Sequence, residues 1–107
     1  MTRAILVNEK NNYVAYDHPK EIEENVFETV PHATIGVLIK AKGSEANGAT
    51  LYLWRYPCYE CAKAIIYAGI ARVIYKHEDF SDPTHTEAQL LLEHSNVEVI
   101  KNPDIEF

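Results

Sequence analysis

Ala49-Thr50-Leu51-Tyr52-Leu53-Trp54-Arg55 runs through Tyr56 and Pro57 into Cys58-Tyr59-Glu60-Cys61-Ala62-Lys63-Ala64-Ile65-Ile66-Tyr67-Ala68-Gly69, and Ala71-Arg72-Val73-Ile74-Tyr75 follows. The first segment is rich in residues that favour strands. The second reads as a helix from Cys58 to Ala68, closed by Gly69, whose freedom at positive φ suits a helix end. Pro57 suits the entry, since it has no N–H to leave unpaired at a helix start. The third segment is again a strand. Strand, helix and strand at this spacing make a right-handed crossover between parallel strands.

Working outward, residues 3–8 read as a first strand and Tyr13 to Asp17 as a second. The turn over residues 9–12, with two Asn residues that tolerate positive φ, joins them as a hairpin. Residues 19–30 are acidic and hold one or two helical turns. Residues 33–42 read as a short helix ending near Gly43, and 43–48 as a polar loop. Residues 84–94 read as a helix with apolar Ala88, Leu90, Leu91 and Leu92, and 97–100 as a final strand. This order implies one sheet covered by helices, parallel from the third strand onward. No internal repeat, linker or low-complexity tract interrupts it.

The chain has 107 residues, which fits a single domain, 1–107, with a modest core. The longest apolar stretch, residues 62–75, carries Lys63 and Arg72, too short and too charged to span a bilayer. The first residues lack the apolar run of a secretory signal, so a cytoplasmic location is expected. The formal net charge of −6 argues against non-specific nucleic-acid binding, while leaving room for a small nucleotide in a locally positive pocket.

Cys58 and Cys61 are the only two cysteines. Both fall on the first turn of a helix, where backbone N–H groups and the helix dipole stabilise thiolate, the form that binds metal. His32, 26 residues upstream of Cys58, also precedes a helix. If the two helix starts face each other, one histidine and two cysteines converge. Three protein ligands with an open fourth place make the catalytic type of zinc site. The alternative for Cys58 and Cys61 is a thiol redox pair, since such motifs also sit between a strand and a helix. His18, His77, His85 and His94 have no comparable partners in the sequence and are expected at the surface.

The pattern His32-Ala33-Thr34, then a strand, then Pro57-Cys58-Tyr59-Glu60-Cys61 resembles the cytidine/deoxycytidylate deaminase superfamily. The likeness to deoxycytidylate deaminases runs through Gly48-Ala49-Thr50-Leu51-Tyr52-Leu53, through Pro57 to Ile66, and on through Ala68-Gly69-Ile70-Ala71-Arg72-Val73-Ile74-Tyr75. The resemblance implies a three-layer α/β sandwich: a mixed five-stranded sheet with helices on both faces. It implies Zn2+ on His32, Cys58 and Cys61, and hydrolytic deamination of a cytosine nucleotide or nucleoside. It also implies assembly as a homo- or hetero-oligomer through helical faces.

Three departures qualify that expectation. Family enzymes read His-X-Glu, the Glu moving protons between water, base ring and leaving ammonia; here the position is Thr34, whose hydroxyl cannot take that proton at neutral pH. The family's usual N-terminal helix is missing. The Gly-Tyr-Asn-Gly-like stretch that helps hold the nucleotide is replaced by Tyr16-Asp17-His18-Pro19. Glu60, between the cysteines, and Glu28 are the candidate substitute bases, although relatives carry an acid at the Glu60 position beside the catalytic one, so its plainer role is to support the helix start. Trp54 and Tyr56, at the strand end beside the cysteines, are the pocket candidates, while Tyr52 and Tyr59 are better read as packing. The family also contains subunits that lack the Glu and pair with active ones, so an inert partner or nucleotide-binding module is the alternative to an enzyme.

Overall fold

A computed structural model describes residues 4–8, 13–17, 46–78 and 83–105. The expected 9–12 turn, the acidic 19–30 segment, the 33–42 helix, Gly43, His18, Glu28, His32 and Thr34 lie outside the described residues. In chain order the elements are β1 (Ala4–Val7), β2 (Tyr13–Asp17), β3 (Thr50–Arg55), α1 (Tyr59–Ala68), β4 (Arg72–His77), α2 (His85–Glu93) and β5 (Glu98–Lys101).

The strands form one five-stranded sheet in the order β2-β1-β3-β4-β5. The β1–β2 hairpin is antiparallel, with its register shifting between Leu6 and Val7. β1 also pairs antiparallel with β3, and β3, β4 and β5 are mutually parallel, Leu51 opposite Val73 and Val73 opposite Val99. The sheet is therefore mixed, with the parallel part beginning at the third strand as the crossover argument requires.

Alternation sets the core. Ala4, Leu6, Leu51, Leu53, Val73 and Tyr75 are buried and pack in one cluster with Ala62 and Ile65 of α1 and Ala88 and Leu92 of α2. Since side chains two apart share a face, both helices cover the same face of the sheet. The cover expected on the opposite face falls outside the described residues. Burying a residue such as Leu51 or Ile65 contributes about 1.5–3 kcal/mol.

One helix and one strand add detail to the sequence reading. Of Ala88, Leu90, Leu91 and Leu92, only Ala88 and Leu92 are buried, and Leu90 is 52% exposed. Three consecutive leucines spread over most of a helical turn, so they cannot all face one sheet. β4 continues two residues past Tyr75, because Arg55 pairs with His77 at the end of the ladder. α1 ends as its glycine requires. Gly69 has φ +79°, its N–H donates to the Ile66 carbonyl at 3.1 Å, and the Ile70 N–H reaches the Ile65 carbonyl at 3.3 Å. This is a Schellman ending, with Ile70 buried in the same core as Ile65. Among the described residues, no helix is long and apolar enough to cross a membrane.

Candidate metal centre and its rim

The carboxyl ends of β3 and β4 carry the chemistry-bearing residues. After Arg55 the ladder takes one more bond, from the Tyr56 N–H to the His77 carbonyl at 2.8 Å. Pro57 then turns the chain, and Cys58 adopts extended backbone (φ −75°, ψ 176°) as the N-cap of α1. The Cys58 carbonyl accepts the first helical bond, from the Ala62 N–H at 2.8 Å. Cys58 and Cys61 thus occupy the N-cap and N3 positions, the pair that face each other in a capping box. Cys58 is half-buried and Cys61 only 2% exposed; they are not joined in a disulfide.

Cys58 does not cap α1 with its own side chain. Instead the N–H of Tyr59, one of the unpaired donors of the first turn, donates to Thr84 Oγ1 at 3.1 Å. Thr84 is the N-cap residue of α2, 25 positions along the chain, and its side chain makes no capping bond to its own helix.

Behind Thr84 stands a polar network. Tyr75 Oη donates to Glu78 Oε1 at 2.8 Å, and Glu78 Oε2 lies 3.2 Å from His85 Nε2. The Tyr56 ring meets Tyr75 edge-on (centroids 4.9 Å, 89° between planes) and lies tilted 4.7 Å from the His85 ring. Burial, then the hydrogen bond and charge of Glu78, push the Tyr75 phenol well above its ordinary value. Burial raises Tyr56 as well, helped by the charges of Glu78 and Glu93. Both rings stay neutral at physiological pH.

His85 is therefore a correction: expected at the surface, it is 9% exposed and bound. Its sequence signal was the spacing His85, Ala88, Leu92, which places all three on the buried stripe of one helix. Thr84 carried no comparable signal because its partner Tyr59 is 25 positions away, and Glu78 because it lies just past the end of β4, where no strand or helix periodicity assigns its side chain a face. His77 and His94 are exposed, as expected.

The other candidates stand as follows. Tyr56 is buried at the strand end, 8% exposed. Trp54 is half-buried, with Lys76 Nζ 5.0 Å over its ring and His77 5.0 Å away at 63°. Glu60 turns outward, its side chain 69% exposed and paired with Lys63 at 3.1 Å. A groove of about 310 Å³ between α2 and β5 is lined by Tyr56, Tyr75, Leu92 and Val99, among others, but by neither cysteine.

Two cysteines at the N-cap and N3 of one helix, one half-buried and one buried, suit a soft-ligand cation such as zinc. Among the described residues no cluster of three or more His, Cys, Asp or Glu side chains occurs. Any third ligand must come from outside them.

The chain is similar to several known proteins. Mouse deoxycytidylate deaminase is 36% identical over 73 residues, 64% of this chain and 41% of its own length. ComE operon protein 2 of Bacillus subtilis (strain 168) is 36% identical over 80 residues, 73% of this chain and 40% of its own. The chain thus spans about two fifths of the length of these curated relatives. Among solved structures, the dCMP deaminase of cyanophage S-TIM5 in complex with dCMP and dUMP superposes with a TM-score of 0.68 at 29% identity, covering 94% of this chain and 80% of that one. Acinetobacter baumannii RibD shares the fold with a TM-score of 0.75 at 24% identity, over 94% of this chain and 28% of its own. The family described as MafB19-like deaminase matches residues 2–104, and the chain belongs to it.

Proposed function

We propose that this domain binds one zinc ion through His32, Cys58 and Cys61 and takes a cytosine nucleotide as its ligand, with hydrolytic deamination as its chemistry. The observation that carries the reading is the placement of Cys58 and Cys61 at the N-cap and N3 of α1, beside the carboxyl ends of parallel strands, where open α/β sheets bind ligands. Bound zinc supplies the Lewis acidity that brings water towards a pKa of about 7. The chain's own residues do the remainder. The start of α1 holds the two thiolates, and the packed rings of Tyr56, Tyr75 and His85 stiffen the strand end that leads into it. Two thiols kept reduced suit a cytoplasmic setting.

A second reading is favoured by the acids. Thr34 holds the proton-shuttle position, and the Glu60 carboxylate is turned to solvent in its pair with Lys63. Loss of a general acid/base costs about 10²–10⁴-fold in rate. On this reading the domain is inert, and acts as a partner subunit or a nucleotide-binding module.

Ammonia release from cytidine, deoxycytidine and their monophosphates, measured on zinc-loaded protein beside Thr34→Glu, separates the two. Turnover by the unmodified chain establishes the enzyme. Turnover by Thr34→Glu alone establishes a disarmed pocket. Turnover by neither overturns deamination as the chemistry and leaves ligand binding to be measured directly.

A further inference from the structure

We propose that Thr84 is a positioning residue for the metal-binding turn: its hydroxyl, delivered from the start of α2, fixes the first turn of α1 on which Cys58 and Cys61 sit. The proposal rests on the zinc reading given above. Its structural basis is the 3.1 Å bond from the Tyr59 N–H to Thr84 Oγ1. Tyr59 lies between the two cysteines in sequence, so the peptide that accepts this restraint is the one that sets their relative position.

Two further observations make the bond more than a surface contact. A threonine at a helix N-cap ordinarily turns its hydroxyl to its own helix. At Thr84 only the backbone carbonyl serves α2, accepting from the Ala88 N–H at 2.9 Å, and the side chain makes no cap bond there. In α1 the N-cap residue is a cysteine that makes no side-chain cap bond to its own helix. One helix gives up its side-chain cap, and the neighbouring helix receives it where its own N-cap has another task.

Thr84 is also held in place. The adjacent His85 is fixed by Glu78 Oε2 and by the Tyr56 ring, and Glu78 is fixed in turn by the Tyr75 hydroxyl. Tyr56 is two residues before Cys58, so both ends of this brace return to the cysteine turn. Ala88 and Leu92 bury against the same core as Ala62 and Ile65, which sets the distance between the helices. Outer-shell groups that orient ligands in this way are worth about 10–100-fold in metal affinity.

The test is zinc affinity by competition with a chromophoric chelator, together with the visible absorption of the cobalt-loaded protein, on the whole chain. Thr84→Val keeps the shape and removes the acceptor; Thr84→Ser keeps the acceptor. Ser95→Ala serves as the comparison, since Ser95 Oγ donates to the Leu92 carbonyl at 2.6 Å and accepts from the Val97 N–H at 3.1 Å, at the other end of α2. The expected result is a loss of about tenfold or more in zinc affinity and an altered cobalt spectrum for Thr84→Val, with Thr84→Ser close to the unmodified chain. Ser95→Ala lowers the melting temperature and leaves zinc affinity alone. Equal affinity in Thr84→Val and the unmodified chain overturns the proposal, as does failure of Thr84→Ser to restore affinity or an equal loss in Ser95→Ala. If the unmodified chain takes up no zinc, the zinc reading falls and this proposal with it; if it takes up zinc and Thr84→Val holds it equally well, this proposal alone falls.

Discussion

The Tyr75 hydroxyl donates to Glu78 Oε1 at 2.8 Å, where β4 leaves the sheet. Burial and this bond both favour the neutral phenol, so Tyr75 gives up its proton only well above the usual tyrosine value, and Tyr56 is shifted the same way. In an unfolded chain both phenols ionise near pH ~10. The stability they contribute is complete below that pH and is lost as pH rises through the higher folded values. Phenolate absorbance should therefore show a late component of the seven tyrosines that coincides with alkaline unfolding. Tyr75→Phe should reduce it.

Glu78 has two partners, and its side chain is 24% exposed. Glu78→Leu leaves the Tyr75 hydroxyl and His85 Nε2 without this carboxylate, at a cost of about 1–2 kcal/mol after allowing for access to water. Glu78→Gln can still accept from Tyr75 and donate to a neutral His85, so it should cost less than half as much. Urea denaturation of the pair, with unchanged slope, checks the order.

Gly69 should not tolerate a side chain. A Cβ there would collide with Asn47 Oδ1, on a residue at φ +79°. Gly69→Ala should cost about 1–2 kcal/mol from the left-handed backbone alone, and more if Asn47 cannot shift. Thermal unfolding measures it: about 4–8 °C per kcal/mol for a domain near this size.

Zinc on Cys58, Cys61 and His32 would stabilise the folded state by mass action. Stripping the protein with a chelator should lower the melting temperature by about 10 °C or more if the metal is present at ~100 times its dissociation constant, and zinc should restore it. Calorimetry with and without chelator checks this; an unchanged transition would count against the zinc reading.

The parallel part of the sheet and both described helices were legible because their signals are local. Strand composition, Pro57 before a helix and Gly69 after it each constrain a few neighbouring residues. Alternation along Leu51, Leu53, Val73 and Tyr75 marks the packed face. The cysteine turn was legible for the same reason: its two sulfurs are three residues apart on one helical turn. What stayed hidden lies beyond any one periodic element. Thr84 meets Tyr59 across 25 positions, and His85 meets Glu78 across a connection whose course no periodicity reports. The leucine triplet left the inward face open, because apolar composition alone does not say which of three adjacent residues is buried.

β5 closes the described sheet with pairing on its β4 side only. A strand with one open row of backbone donors and acceptors invites addition of a foreign strand. β5 is only four residues long, and the exposed Glu98 and Lys101 bracket it with opposite charges, Glu98 anchored to Arg72 Nε at 2.7 Å. Shortness and flanking charge of both signs are the features that disfavour fibrous self-association at a strand edge.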